Sequence, residues 1–106
     1  MIYELRQYRI RKGRMREWVK LFEAEILPFQ VAKGMVICGV FTAPEDPTLF
    51  VWIRRFSSAA QKKRLYDRVY GHEHWKTVLS PKIGKLLDRS TIKVTELSPT
   101  ALSVLS

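Results

Sequence analysis

The chain has 106 residues, of which 46% are hydrophobic, and it carries 19 Lys and Arg against 10 Asp and Glu, a net charge of +9. This length fits one domain, which buries roughly two-thirds of its unfolded surface on folding. No Gly-, Pro- or Ser-rich tract interrupts the chain, so the composition excludes a disordered or linker-rich protein. The basic surplus attracts polyanions, but it does not define a partner by itself.

Cysteine content and hydropathy indicate the compartment. Cys38 is the only cysteine, so no intrachain disulfide can form and an oxidising compartment is not indicated. Acidic and basic residues occur by position 6, unlike a signal peptide. No apolar run approaches the roughly 20 residues of a membrane helix. We therefore expect a cytoplasmic protein without a membrane span.

The first third of the chain predicts a strand followed by a helix. Alternating residues over 2–11 predict a half-buried strand. After Gly13, apolar residues recur at helical spacing: Met15, Trp18, Val19, Phe22 and Ile26. This helix is expected to continue to about Lys33, with a bend at Pro28 and with Gly34 as its C-terminal stop.

The rest of the chain completes a βαββαβ order. The predicted elements are a strand over 35–41, a turn over 42–47, a strand over 49–56, a helix from Ser57 or Ser58 to Tyr70, a helix over 75–87 and a strand over 91–97. This order is that of the ferredoxin-like α+β class, a four-stranded antiparallel sheet with both helices on one face. We assign residues 1–98 to this single domain and residues 99–106 to a C-terminal tail that either frays or docks on a neighbour.

The strand over 49–56 is apolar on both faces, so both faces need cover. We assign one alternating set to the side covered by helices: Leu49, Val51 and Ile53. The other set then falls on the open side: Phe50, Trp52, Arg54 and Phe56. Three exposed aromatic side chains in a row make a patch large enough to need a partner, and a second copy is the simplest one. We therefore predict a homodimer with Phe50, Trp52 and Phe56 in its interface.

Five residues on neighbouring strands form a candidate ligand site: Glu4, Arg6, Tyr8, Trp52 and Arg54. A carboxylate, two guanidinium groups, a phenol and an indole suit a small anionic or aromatic molecule, to which arginine gives paired hydrogen bonds. The alternative is a cross-strand charge network in which Tyr8 fills space, because buried charges need partners in any case.

His72 and His74 are further candidates for ligand binding. Neutral imidazole takes a proton near pH 7, so His72, like Tyr8, is a candidate catalytic acid or base. A capped helix start with both histidines on the surface is the alternative. Their spacing fits no zinc motif, and phosphate-binding loops and nucleophile motifs are absent from the sequence. We therefore predict neither a metal site nor a cofactor.

Several motifs agree in order and spacing with those of a known family. They are the N-terminal IYELRQY of residues 2–8, Gly13, Trp18, the Phe50-Val51-Trp52 strand with Phe56, Arg64, and Trp75 followed by Val78 and Leu79. Together they resemble the NIPSNAP family over most of the chain, up to about Leu97. The sequence departs from the family at Lys12, where a proline is expected before Gly13, and this affects only the turn.

The resemblance implies a dimeric α/β barrel, in which the sheets of two protomers pack face to face around a cavity. We expect a homodimer that binds a small molecule in that cavity. A cofactor-independent enzyme, monooxygenase- or isomerase-like, is the first alternative.

RNA binding is the second alternative, because RNA-recognition domains share this strand order and stack bases on aromatic residues of the third strand. Phe50, Trp52 and Phe56 would supply such a platform beside the basic surface. The Gly-rich RNP1 pattern is missing, however, and the basic residues mostly follow this strand on helices. Nucleic acid is therefore not the predicted partner.

Overall fold

The predicted ferredoxin-like α+β fold is confirmed in a computed structural model, which describes residues 1–105. Residue 106, the last of the expected tail, lies outside the described residues. Four antiparallel strands form one sheet in the order β2-β3-β1-β4. Their bounds are β1 Ile2–Arg9, β2 Val36–Ala43, β3 Asp46–Phe56 and β4 Lys93–Leu97.

The helices form a second layer on one face of the sheet. The first long helix consists of α1 Met15–Leu21, a π-helical turn Phe22–Ile26 and α2 Leu27–Ala32. The second helical segment, between β3 and β4, consists of α3 Ala59–Tyr70, a π-helical turn Trp75–Leu79, α4 Ser80–Leu86 and a 3-10 turn Arg89–Thr91. Gly34 has a φ of +105° just after the first long helix, as expected of a C-terminal stop. Ser58 caps α3, because its hydroxyl oxygen accepts from the Gln61 backbone N–H at 3.1 Å. Within residues 1–105, no helix has the length and apolar character needed to cross a membrane.

The hairpin between β2 and β3 is tighter than predicted. Backbone pairing continues to Ala43 opposite Asp46, so the turn predicted over 42–47 is reduced to its two central residues. The side chain of Asp46 accepts a hydrogen bond from Arg9 Nη1 at 2.6 Å, which ties the start of β3 to β1.

The core lies between the helices and one alternating set of β3 side chains. Phe50, Trp52 and Phe56 are each 1% exposed, and Arg54 is fully buried. Phe22 packs on Phe50 and Trp52 with ring centroids 4.9 and 5.1 Å away. The predicted orientation of β3 is therefore wrong: the aromatic set faces the helices, and Leu49, Val51 and Ile53 face the open side.

The two alternating sets of β3 side chains were thus assigned to the wrong faces of the sheet, and the reason is steric. The first long helix presents a stripe of large side chains, Trp18, Phe22 and Ile26, and large aromatic side chains of the sheet make the closest contacts with it. Phe50, Trp52 and Phe56 therefore belong to the core of a single chain. They form neither an exposed dimer interface nor a platform on which RNA bases could stack.

The open face of the sheet is lined by aliphatic and aromatic side chains. Phe41, Val36 and Leu97 are 52%, 41% and 40% exposed there. Residues 98–105 run along one end of this face and form a groove with Tyr3 and Ile53. Leu102 and Val104 of this segment are 95% and 98% exposed, and the expectation that the tail frays or docks on a neighbour stays a prediction.

Candidate functional site

A buried ion pair joins the two central strands. β1 and β3 pair with Glu4 opposite Arg54, Arg6 opposite Trp52 and Tyr8 opposite Phe50. Residues directly opposite share a face of the sheet, so this register gathers the candidate residues under the helices. Arg54 donates to Glu4 Oε1 from Nη2 at 2.6 Å and from Nε at 3.0 Å. Both side chains have no exposed surface.

Two further cations surround the Glu4 carboxylate. Arg6 Nη1 lies 3.1 Å from Glu4 Oε1, and Lys62 Nζ lies 3.2 Å from Glu4 Oε2. The Tyr66 hydroxyl donates to the same Oε2. Burial by itself raises the pKa of Glu4, but the charge of Arg54 and the hydrogen bonds from Tyr66 and Arg54 outweigh it and lower that pKa to about 2. Glu4 is therefore ionised at neutral pH.

The Arg54 guanidinium is enclosed by polar and aromatic groups from three elements. Its Nη1 donates to the Tyr70 hydroxyl of α3 at 2.7 Å and to Gln30 Oε1 of α2 at 2.9 Å. Its Cζ lies 4.7 Å from the Trp52 ring centroid, a cation-π contact. These contacts hold Arg54 in one position. Arg54 does not line the cavity itself but contacts residues that do.

A cavity of about 200 Å³ lies beside this network, between the sheet and the helices. Its walls include all three tryptophans of the chain, Trp18, Trp52 and Trp75, together with the side chains of Phe22, Ile26, Ile83 and Leu87. The polar groups of the lining come from Arg6, Tyr8, Gln30, Tyr70, Ser80 and Arg89. The cavity thus combines an aromatic wall with a cationic, hydrogen-bonding end.

Tyr8 lies in the cavity wall and is held by Arg6. Arg6 Nε donates to the Tyr8 hydroxyl oxygen at 2.9 Å. Burial raises the pKa of the Tyr8 hydroxyl above its ordinary value, so the phenol keeps its proton at neutral pH. Tyr8 can therefore accept from Arg6 and still donate its own O–H to another group.

The structure brings five predicted site residues together and leaves two apart. Glu4, Arg6, Tyr8, Trp52 and Arg54 form the network and the cavity wall described above. His72 and His74 are exposed, and their rings lie 5.3 and 5.5 Å from the ring of Phe29. Neither histidine lines the cavity. Residues 1–105 contain no cluster of three or more His, Cys, Asp or Glu side chains that could hold a metal ion.

Sequence reasoning missed four residues of the site, Gln30, Tyr66, Tyr70 and Lys62. Gln30 continues the helical stripe of Trp18, Phe22 and Ile26 at a spacing of four, so a polar residue at that position indicated a buried hydrogen-bonding group. Lys62, Tyr66 and Tyr70 share the same spacing on α3, which places them on one helical face. Only the packing of that face on the sheet shows that the three residues converge near Glu4 and Arg54.

The fold and the site define a ferredoxin-like α+β protein with a charged, aromatic cavity between its sheet and its helices. The sequence profile of the NIPSNAP family matches residues 3–103, and the chain belongs to that family. None of the curated proteins compared with the chain matches it.

Solved structures support the same assignment. A protein from Agrobacterium tumefaciens is 27% identical over all of both chains, with a TM-score of 0.90. A NIPSNAP family protein from Agrobacterium tumefaciens strain C58 is 25% identical, with 99% of this chain and 98% of that chain covered and a TM-score of 0.88. An antibiotic biosynthesis monooxygenase is 19% identical, with 94% and 99% covered and a TM-score of 0.69, and this likeness concerns the fold alone.

Proposed function

We propose that this chain is a homodimeric binding protein for a small aromatic or anionic molecule, which it holds in the cavity between the sheet and the helices. The observation that carries this proposal is the composition of the cavity wall, in which three tryptophans meet Arg6 and Tyr8. Ligand sites are typically enclosed and mostly apolar, with a few polar groups that orient the ligand.

The cavity has the size for a single ring system. An apolar cavity of about 150 Å³ accepts benzene in a well-characterised engineered protein, and the cavity here is about 200 Å³. Tryptophan rings offer flat apolar surface for a ligand ring, and Arg6 offers a charge for a polar substituent. A ring of six to nine atoms with one small polar substituent therefore fits both the volume and the lining.

The open face of the sheet supports the dimer. Phe41, Val36 and Val51 lie on that face outside the core, and apolar surface of this kind calls for a partner. A second copy covers it by a two-fold arrangement of the two sheets. The proposed interface thus uses the set of β3 side chains opposite to the one expected from the sequence.

Tryptophan fluorescence tests ligand binding directly, because every tryptophan of the chain lines the cavity. The probes are benzoate, phenylacetate and their amides. Native mass spectrometry of protein from its own host searches for a retained metabolite. Saturable quenching or a retained small molecule is expected. The absence of both would overturn the proposal.

A cavity-filling variant gives the control. Ile83 lines the cavity, so Ile83→Trp should occupy it and abolish the fluorescence response to the probes. Val31 is 49% exposed on α2, so Val31→Trp adds the same bulk outside the cavity and should leave binding intact. Circular dichroism verifies that both variants are folded. Equal binding by the two variants would place the ligand elsewhere.

A cofactor-independent enzyme that uses the same cavity is the second candidate, and Tyr8 favours it. The Tyr8 hydroxyl lies in the cavity wall, keeps its proton, and accepts from Arg6 at 2.9 Å, so it can act as a proton donor to a bound molecule. Tyr8→Phe should then retain ligand binding and lose turnover of that ligand. A Tyr8→Phe variant with full turnover would exclude this role.

A further inference from the structure

Three buried N–H donors around the cavity lack an acceptor among the described residues. They are Trp18 Nε1, Gln30 Nε2 and Trp52 Nε1, and all three residues line the cavity. A buried donor without an acceptor costs on the order of 1–3 kcal/mol, so native proteins leave few of them. Because these N–H atoms have almost no accessible surface, an acceptor reaches them only when their side chains rotate toward the cavity, and a ligand rich in acceptors favours that rotation.

Charge around the same cavity is unbalanced toward the positive. The fully buried Glu4 carboxylate is shared by three cations, Arg54, Arg6 and Lys62. Lys62 Nζ also lies 3.6 Å from Oε1 of the exposed Glu96, so the charge of Glu96 balances that of Lys62. One of these three positive charges remains without a carboxylate of its own among residues 1–105, and Arg89, which also lines the cavity, bonds only to Ser80 there. Buried charge is stable only when it is paired.

Among the three cations around Glu4, Arg6 is the one with capacity left for a ligand. Its Nε donates to Tyr8 and its Nη1 donates to Glu4 and Tyr66, whereas its Nη2 bonds to no described residue. Arg6 lines the cavity and its side chain is 12% exposed. Arg54, by contrast, uses all three of its guanidinium nitrogens within the network.

We propose that the molecule bound in the cavity is a deprotonated carboxylic acid, whose carboxylate accepts from Gln30 and Arg6 and from tryptophan N–H groups while its apolar part lies against the aromatic wall. This inference rests on the proposed function, since it names the class of ligand for the same cavity. A carboxylate brings only acceptors, about four lone-pair sites, and one negative charge. Water satisfies isolated donors but leaves the surplus charge unpaired, and an amide brings two donors to a cavity that already has an excess of them.

The test compares each carboxylate probe with its neutral amide, benzoate with benzamide and phenylacetate with phenylacetamide, by tryptophan quenching of the wild-type protein. At least about a tenfold preference for the carboxylate is expected, because hydrogen bonds to charged groups are the stronger ones. Equal or tighter binding of the amide overturns the carboxylate inference and leaves the cavity as a binding site. Failure of every probe, with no metabolite retained, overturns the proposed function as well.

Gln30→Glu provides a reversal experiment. The substituted side chain keeps an oxygen that can accept from Arg54 Nη1, as Gln30 Oε1 does at 2.9 Å, but it replaces the free N–H donor with an acceptor and adds a negative charge. Benzoate affinity should fall at least about tenfold, while benzamide affinity is retained or rises. An unchanged preference in folded Gln30→Glu would overturn the assignment.

A matched control separates local from global charge. Gln61 lies in the first turn of α3, where its Oε1 accepts from the Ser57 backbone N–H at 2.6 Å, and it does not line the cavity. Gln61→Glu keeps that acceptor and adds the same charge away from the cavity and from the open face of the sheet, so it should leave the benzoate preference unchanged. A loss of preference in Gln61→Glu equal to that in Gln30→Glu would show that the effect is one of net charge and would overturn the inference. The wild-type comparison needs no variant and decides the matter even where Gln30→Glu does not fold.

Discussion

Arg54 donates two hydrogen bonds to a single oxygen of Glu4, and the two fully buried side chains lie directly opposite each other on neighbouring strands. Removing two charges from water is costly, and close contact and additional hydrogen bonds must offset that cost. Tyr66, Tyr70 and Gln30 supply those bonds from the helical layer. The Glu4–Arg54 pair therefore stabilises the fold and also holds Gln30 and Tyr70, two residues that line the cavity.

Removing the Glu4 charge should destabilise the protein strongly. Glu4→Gln leaves Arg54 buried without its carboxylate, and breaking a buried pair in this way costs about 3–5 kcal/mol. Urea unfolding followed by circular dichroism measures the loss. Glu17 is the control, because it pairs with Arg14 at 2.7 Å on the surface, where Glu17→Gln should have no measurable effect. Equal stability of the two variants would contradict the role given to the buried pair.

The same carboxylate predicts how stability depends on pH. Burial raises the pKa of Glu4, but Arg54 and the hydrogen bond from Tyr66 more than compensate and lower it from 4.5 to about 2. A depressed pKa in the folded state stabilises it fully above about 4.5, and this contribution is lost as the pH falls from 4.5 to 2. The urea midpoint of the wild type should fall through this window more steeply than that of Glu4→Gln. Parallel curves would show that Glu4 is not the group responsible.

The sequence predicted the fold because its elements are strongly patterned. The helical stripe after Gly13 and the alternation of β1 each indicate their element without tertiary information. The orientation of β3 was not predictable in this way, because both of its alternating sets are apolar. Its phase is set by the packing of Phe50 and Trp52 under Phe22, a contact between residues distant in sequence.

The site was predictable to the extent that it lies on paired strands. The strand order of the ferredoxin-like class places Glu4, Arg6 and Tyr8 beside Trp52 and Arg54 whichever face of the sheet they occupy. The five residues therefore lie together although the sequence assigned the side chains of β3 to the wrong faces. The contribution of α3 was not predictable, because its tilt over the sheet decides which of its tyrosines reaches the carboxylate. For His72 and His74 the sequence left two positions open, a ligand site and the surface, because the sequence does not fix the direction of a side chain. Both histidines are exposed and lie outside the cavity wall.

A pair of phenylalanines tests the corrected phase of β3. Phe50 is 1% exposed in the core and Phe41 is 52% exposed on the open face. Phe50→Ala should cost about 3–5 kcal/mol of unfolding free energy, because it leaves a cavity under the first long helix. Phe41→Ala should cost far less in urea unfolding at protein concentrations where the chain is monomeric. The reverse order would restore the orientation first predicted from the sequence.

A pair of valines tests the proposed dimer. Val36 lies on the open face opposite Arg55, and Val31 lies on the outer surface of α2, with similar exposures of 41% and 49%. Val36→Lys puts a second cation opposite Arg55 in the proposed interface between the two sheets and should weaken dimerisation roughly tenfold or more. Val31→Lys makes the same chemical change where no partner is proposed and should leave dimerisation unchanged. Sedimentation velocity over a concentration series measures both. A monomeric wild type would refute the dimer, and equal weakening by the two variants would place the interface on the helical face, because a seam between the sheets cannot sense a charge added at Val31.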